Sequence, residues 1–422
     1  MESIHAIKGT IDTLPGEIER WHAVEETVRK WTGLFGYAEI RTPVFEDTRL
    51  FERSIGEDSD IVGKEMYTFT DMGGRRITLR PEGTASVVRA FIEHSLDQRG
   101  LPQSLWYMGP MFRQERPQKG RQRQFHQFGV EVIGGKSELL DVEVMELFDR
   151  IASDLGIAGR EYAVNYLGGA ESRERYRTVL TGFLDAIDGA LCPDCRRRRQ
   201  TNPLRVLDCK VPGCRDAVHG SGNLPEIVEY LSRDDLASYG RIKDILGANG
   251  IAFREDPFLV RGLDYYTGIV FEMHLKGLGA QSAVMGGGRY DALVGELGGP
   301  DLPAVGFACG IERLILALEN LGTASAGNGV DVFVVSSPEF TNASDVAYAL
   351  AREVRLAGFS AVFDSQGKSV KAQMRAASRS GAKYVLFSGG APGTIEVKDM
   401  AASEQKAMNV GGFLAMLKEK TM

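Results

Sequence analysis

Residues 105–132 read LWYMGPMFRQERPQKGRQRQFHQFGVEV. An apolar run (Leu105, Trp106, Tyr107, Met108) gives way to a polar stretch and returns to apolar residues at Phe125, Phe128, Val130 and Val132. That pattern predicts strand, loop, strand, with Pro117 and Gly120 marking the loop, and the rest of the chain is organised around this hairpin. Between Arg113 and Arg123 five cationic side chains surround one carboxylate, Glu115. A basic run is most often a solvated face. Here the alternation of a strand gives Arg113 and Glu115 one face, and gives Gln127, Gly129 and Glu131 one face of the return strand. Such a hairpin can hold a phosphate on an arginine, whose planar fork meets phosphate oxygens in pairs. It can also offer a carboxylate to a cationic or hydrogen-bonding group.

The 422 residues suffice for roughly two to four domains with real cores. Hydrophobic residues at 43% and charged residues at 25% fit an ordinary soluble globular protein. No apolar run approaches the ~20 residues of a membrane span. The start, MESIHAIKGT, has no basic-then-apolar signal pattern. A cytoplasmic location without membrane contact is therefore expected. The net charge of −7 argues against a protein that coats nucleic acid but permits an RNA grip through local basic patches. Five cysteines in this length do not make a disulfide framework.

Taken in order, the chain predicts a helix over residues 15–35 opened by Pro15, with Trp21, Val24, Val28 and Trp31 at helical spacing. A strand at Tyr37–Ile40 is cut by Pro43. The apolar tract Leu50–Ile55 reads equally as a dimer interface or a core segment. Residues 66–80 form a hairpin around Asp71–Gly74. Pro81 then opens a helix with Ala85, Val88, Phe91 and Ile92 on its apolar face. At its start, Glu82 and Thr84 serve either as caps or as a polar corner for a ligand's ammonium group. Ser137–Leu155 is amphipathic, and 160–250 reads as an inserted helical module. From Phe258, a turn carrying Arg261, Asp264, Tyr265 and Tyr266 leads into a strand through Ile269, Phe271 and Met273. The glycines of GGGRYD (286–291) allow either a close backbone approach to a ligand or a tight turn. A strand, a glycine break and a helix follow. That helix puts Arg313 one turn in, where the dipole disfavours a cation. A bound phosphate, or a carboxylate such as Glu115, would explain it. Residues 323–329 have linker composition, and the remainder alternates as a small α/β domain with a mostly parallel sheet.

Cys192, Cys195, Cys209 and Cys214 are spaced C-x2-C-x13-C-x4-C. The spacing is close to that of a four-thiolate zinc ribbon; the alternative is four unmetallated thiols. No GxxxxGK[ST] loop and no G-x-S-x-G elbow occurs. Arginines on three separate elements, Arg113, Arg261 and Arg313, suit a bent polyphosphate with charge building on one phosphorus.

FRQE (112–115) and GIER (310–313) resemble motifs 2 and 3 of the class II aminoacyl-tRNA synthetases, and Gly36–Glu46 with Pro43 resembles their motif 1. LVRGLDYYTG (259–268) and GGGRYD resemble signatures of the histidyl-tRNA synthetase family. The resemblance covers essentially the whole chain. It implies an α+β fold: a class II antiparallel-sheet catalytic domain over 1–325, including the cysteine-bearing module at 160–250, and an anticodon-binding α/β domain over 330–422. It implies a homodimer formed through motif 1, and ATP-dependent ligation of L-histidine to tRNA(His) through a histidyl-adenylate. By the same resemblance, Arg113, Arg261 and Arg313 are catalytic. Arg113, Glu115, Arg121, Phe125 and Arg313 bind ATP with Mg²⁺. Glu82, Gly83, Thr84, Arg113, Gln127, Glu131, Arg261, Tyr265 and Tyr266 bind histidine. The four cysteines are candidate ligands for a structural Zn²⁺. SGGAPGTIEVKD, before the last strand, lacks the acidic turn expected there. A rival reading is the histidine-binding regulatory paralogue of ATP phosphoribosyltransferase, without tRNA charging; the intact arginines and the C-terminal domain speak against it.

Overall fold

The computed structural model describes residues 3–56, 59, 61–118, 120–275, 283–321, 329–337, 342–388 and 393–421. The expected linker, apart from Gly329, and residues 389–392 before the last strand lie outside these. The chain divides into two compact units, Met1–Ala324 and Ser325–Met422.

The first unit is built on an eight-stranded sheet of order β1-β5-β6-β11-β10-β9-β7-β8. Its strands are β1 (Ala38–Glu39), β5 (Gln103–Phe112), β6 (Gln124–Ile133), β7 (Arg160–Tyr166), β8 (Phe253–Glu255), β9 (Thr267–Leu275), β10 (Ala283–Arg289) and β11 (Ala304–Gly310). All neighbours are antiparallel except the two edge pairs, β1 with β5 and β7 with β8. The hairpin expected from residues 105–132 is β5–β6, with Tyr107 opposite Gly129 and Leu105 opposite Glu131. A smaller sheet of order β2-β4-β3 holds β2 (Phe45–Asp47), β3 (Tyr67–Thr70) and β4 (Arg76–Leu79).

Helices close this unit. Helix α1 (Ile18–Leu34) buries Val24 and Val28, and starts three residues after Pro15. Pro15 lies inside a turn in which Glu17 N–H donates to Leu14 O, so it precedes the helix rather than opening it. Helix α2 (Thr48–Ile55) is capped by Asp47, which accepts from Arg49 N at 2.9 Å. Its Leu50, Phe51 and Ile55 pack with Ile61 and Ala85, which makes the tract a core segment of the chain's own fold. Helix α3 (Thr84–Glu93) begins after Pro81, with Glu82 and Gly83 still outside it. Helix α4 (Glu138–Asp154) is capped by Ser137 and buries Val142, Met145, Phe148 and Ile151 under the sheet.

The expected helical module needs a correction at its start. Residues 160–166 are β7, a strand of the main sheet whose last five residues are all buried, so it lacks the alternation of a half-exposed strand. The helices that follow are α5 (Ala170–Ala186), α6 (Pro193–Thr201), α7 (Pro212–His219) and α8 (Arg233–Ala248), the last packing on α4. The glycines 286–288 lie within β10 and make no turn. The short helix α9 (Leu293–Glu296) and then β11 follow, and β11 runs directly into α10 (Ile311–Asn320).

The second unit contains β12 (Val332–Ser336), α11 (Ala343–Leu356), β13 (Ala361–Phe363), α12 (Val370–Arg379), β14 (Tyr384–Ser388), β15 (Ile395–Asp399), β16 (Gln405–Met408) and α13 (Val410–Thr421). Its sheet order is β13-β12-β14-β15-β16. The first three strands are parallel and the last two antiparallel, so the sheet is mixed rather than mostly parallel. The links around β15 are too short for the roughly dozen-residue crossover that a parallel pair needs. Strand β16 escapes the sequence reading because Gln405, Lys406 and Ala407 are all exposed.

Candidate active site

One face of β6 carries Gln127, Gly129 and Glu131 in a row. At the Glu131 end lies a buried polar cluster. Glu131 is fully buried; Thr84 Oγ1 donates to its Oε1 at 2.7 Å, and Tyr290 OH donates to its Oε2. Burial pushes the Glu131 carboxyl up to about 8 despite these donors. The Tyr107 hydroxyl lies close to Thr84 and Glu131 without the geometry of a hydrogen bond to either. The buried Gln127 Oε1 likewise has no partner among the described residues. Tyr265 and Tyr266 are buried with ring centroids 4.8 Å apart, and Tyr265 stacks edge-on against Tyr290 at 5.6 Å. Burial pushes the Tyr266 phenol up to about 12. These hydroxyls are therefore neutral donors near neutral pH.

Glu82 caps α3. Its carboxylate accepts from Thr84 N at 2.7 Å and Ala85 N at 2.9 Å, and burial raises its carboxyl. Thr84 is not a cap: its hydroxyl is committed to Glu131. Gly83 leaves room for the Tyr107 ring, since a Cβ there would lie 2.2 Å from Tyr107 Cε2. Gly129 does the same from β6, where a Cβ would lie 2.4 Å from Tyr107 Cζ.

The arginines approach this face from three other elements: Arg313 packs beside Gly310, the strand partner of Gln127, and Arg113 lies close enough to Glu82 to feel its charge. Arg113 donates from Nε to Pro81 O at 2.9 Å and lies over the Phe125 ring at 5.2 Å. Its two Nη nitrogens make no hydrogen bond among the described residues. Arg121 pairs with Glu115 at 3.3 Å, so Glu115 is not the dedicated partner of Arg313. Arg313 donates to Ala283 O; burial first, and then the nearby Arg121 cation, hold its guanidinium below the usual arginine range. Such crowding of cations in a half-buried place favours an anion between them.

Arg261 reaches the site from the turn before β9 and is fixed by an ion pair with Glu272. Burial works to raise the Glu272 carboxyl, but the Arg261 charge and the hydrogen bond to His274 outweigh it and hold the group at about 2. Arg261 Nε is buried without a partner among the described residues. Gly286 passes directly beneath this guanidinium: a Cβ there would lie 2.3 Å from Arg261 Cζ. We expect Gly286→Ala to push Arg261 aside and lower turnover about 10²-fold, the size of effect for a small misplacement of a reacting group, with little loss of fold stability. Comparison of steady-state rates and thermal midpoints checks this; unchanged turnover would mean that Arg261 tolerates the displacement.

Four partners in this site escaped the sequence reading. Tyr107 reads as one of the apolar residues of its strand, and the GGGRYD pattern gives Tyr290 no role of its own. Glu272 carried a signal, as a lone carboxylate between Phe271 and Met273 in an apolar strand. Glu312 of GIER accepts from His126 N at 2.9 Å and faces its ring Nδ1 at 3.0 Å, tying α10 to β6. The arginine of GGGRYD is structural: Arg289 pairs with buried Asp141 at 2.7 Å and donates to Gly135 O at 3.0 Å.

The chain matches the histidyl-tRNA synthetase family over residues 9–165 and 215–314, and an anticodon binding domain over 330–420. It is 46% identical over 418 residues to a histidine–tRNA ligase of Natranaerobius thermophilus, covering 98% of each chain. It is 48% identical to one of Thermosipho melanesiensis, covering 91% of this chain and 90% of that protein. The crystal structure of apo Staphylococcus aureus histidyl-tRNA synthetase superposes with a TM-score of 0.83 at 35% identity, covering 98% of this chain and 99% of that one. The large antiparallel sheet with its converging arginines is thus the class II synthetase fold that motifs 2 and 3 imply. The chain belongs to the histidyl-tRNA synthetase family. No described helix is long and apolar enough to cross a membrane.

Proposed function

We propose that this chain ligates L-histidine to tRNA(His). In the first step a histidine carboxylate oxygen attacks the α-phosphorus of ATP, the α–β anhydride bond breaks, and pyrophosphate leaves. In the second, the terminal adenosine hydroxyl of the tRNA attacks the adenylate carbonyl, and AMP leaves. The observation that carries the reading is the meeting of a buried carboxylate–hydroxyl cluster on β6 with arginines from three other elements. The relatives named histidine–tRNA ligase support it across nearly the full chain. They give no support to the regulatory-paralogue reading.

The division of labour follows from donors and acceptors. A neutral imidazole has one N–H and one bare nitrogen. Glu131 takes the first, and Tyr265 or Tyr266 gives to the second. Glu82, Thr84 and Gln127 surround the α-amino group, with Gly83 letting Tyr107 close the wall. ATP is taken as its Mg²⁺ complex. Arg113 holds the α-phosphate and the histidine carboxylate side, Arg121, Glu115 and Phe125 flank the nucleotide, and Arg313 holds the γ-phosphate. Arg261 faces the charge that builds on the α-phosphate during attack. Neither step uses a protein nucleophile, so positioning and charge stabilisation supply the rate. The C-terminal unit reads the anticodon, two copies pair through the segment Gly36–Glu46, the enzyme works in the cytoplasm, and the four cysteines hold a structural zinc ion.

The test is ATP–pyrophosphate exchange with each standard amino acid in turn. Exchange with histidine alone, followed by charging of tRNA(His), is the expected result. Histidine binding without exchange would transfer the chain to the regulatory class.

A further inference from the structure

We infer that Cys192, Cys195, Cys209 and Cys214 bind one zinc ion, and that this ion positions the Arg261–Tyr266 loop through Asn202 and Arg205. The coupling rests on the role given to Arg261 above; the metal site stands on its own geometry. The four Sγ atoms lie within 4.8 Å of one another, and Cys192 and Cys209 are 3.8 Å apart. A tetrahedral zinc site with Zn–S near 2.3 Å has edges of about 3.8 Å. Cys195, Cys209 and Cys214 are buried and none of the four is in a disulfide.

Helix α6 supplies an independent reason. Its sequence is PDCRRRRQT, and Cys195 is its only buried residue. A helix with no apolar face gains little from hydrophobic burial, and apart from Cys195 this one is held by polar ties such as Arg199–Asp188 at 2.8 Å. A metal–thiolate bond at that one buried position would anchor it, in the way small metal modules draw their folding free energy from the ion. Cys192 stands at the N-cap of α6 and Cys214 in the first turn of α7, where the helix dipoles favour thiolates. Residues 166–214 lie between the two stretches that match the family model.

The loop from Cys195 to Cys209 is where this module meets the site. Asn202 Nδ2 donates to Asp264 Oδ1 at 2.8 Å, and buried Arg205 donates from Nε to the same oxygen at 2.7 Å. Asp264 lies three residues after Arg261 and directly before Tyr265. Its other oxygen sits against Gly56, where a Cβ would come within 2.5 Å. A second tie joins Asp194 of α6 to Lys64 at 3.4 Å, and the next residue, Glu65, takes the Gln114 N–H on its carbonyl at 2.7 Å. Thiolates at both ends of the 195–209 loop clamp Asn202 and Arg205, and these hold Asp264. Asn202 and Arg205 are thus positioning residues for Arg261 and the paired tyrosines.

The experiment uses the full-length chain purified from zinc-replete medium. We expect about one zinc per chain by elemental analysis, and Co²⁺ in its place should give the visible spectrum of a tetrahedral tetrathiolate. Cys209→Ser should lose most of the metal; because that variant can fail to fold, the cobalt spectrum of the unaltered chain decides the ligand set. Arg205→Met should keep its zinc and lose about 10–100-fold in kcat for histidine-dependent exchange, the range for groups that orient a ligand set, with KM for ATP little changed. Arg205→Lys should recover part of that loss. A chain that purifies without zinc, or a cobalt spectrum without thiolate character, overturns the metal site. Arg205→Met with unaltered kcat overturns the coupling. An unaltered chain that carries zinc but exchanges with no amino acid would instead defeat the functional reading.

Discussion

Arg261→Ala is expected to cut histidine-dependent pyrophosphate exchange by about 10³-fold while calorimetry still detects histidine binding. The size follows from the kind of group removed: a preorganised donor aimed at charge that develops in the transition state contributes about 10²–10³ in kcat. Arg261 is held for that purpose by the Glu272 ion pair and by the absence of a side chain at Gly286 beneath it. Its unpartnered buried Nε marks a donor with work left to do once substrate arrives. Removing it also strands Glu272, whose side chain is only 19% exposed. We expect a loss of about 3 kcal/mol in stability, the low end for a broken buried pair, because Glu272 keeps some contact with water. Arg261→Ala/Glu272→Gln separates the two effects: stability should return and exchange should not. Parallel loss of binding and chemistry in the single variant would make Arg261 a binding group. Exchange within a few-fold of the unaltered enzyme would remove it from the chemistry.

The sequence made the hairpin legible because β5 and β6 keep their apolar ends and a turn-forming middle, so local pattern and final pairing agree. The helices α3, α4 and α10 were legible for the same reason. Where the reading failed, burial had erased the periodic signal. The last five residues of strand β7 are all buried, so it lacks the alternation that marks a strand and reads with the helices that follow it. The glycines of β10 suggested a turn, yet they sit mid-strand because neighbouring chemistry needs the space that their missing side chains leave: Arg261 above Gly286 and Tyr266 beside Gly288. In the site, charged residues stood out against their surroundings. Tyr107 did not, because an aromatic ring in an apolar segment reads as core, and for Tyr290 only tertiary placement shows that its hydroxyl donates to a buried carboxylate. The same limit hid the Asp264–Arg205 contact, which spans 59 positions. Spacing alone gave Arg205 no reason to be singled out from the other arginines of its module.

Glu131→Gln is expected to lower kcat/KM for histidine about 10²-fold or more, and to remove a pH dependence that the unaltered enzyme shows. The carboxyl stands at about 8 in the folded chain against an ordinary value of 4.5, because burial outweighs the donors Thr84 and Tyr290. Near neutral pH the empty pocket therefore holds a proton on Glu131. Histidine, offering an imidazole N–H, binds the carboxylate form, so that proton must leave on binding. Histidine KM should fall as pH rises from about 6 to about 8, and calorimetry in buffers of different ionisation enthalpy should detect proton release attributable to Glu131. The histidine imidazole also titrates near 6.5, so the part of the slope that vanishes in Glu131→Gln is the informative part. Stability gives an independent check on sign. Between pH 4.5 and about 8 the folded chain keeps a proton that the unfolded chain has released, so this group costs stability as pH climbs through that window. Glu131→Gln lifts that cost, and its thermal midpoint should exceed that of the unaltered chain by roughly 2–4 °C at pH 8 and lose the advantage toward pH 4.5. A variant that keeps its selectivity for histidine would take Glu131 out of imidazole recognition. A variant that loses selectivity but leaves the pH slope intact would mean that Glu131 already stands ionised, with Thr84 and Tyr290 holding the charge.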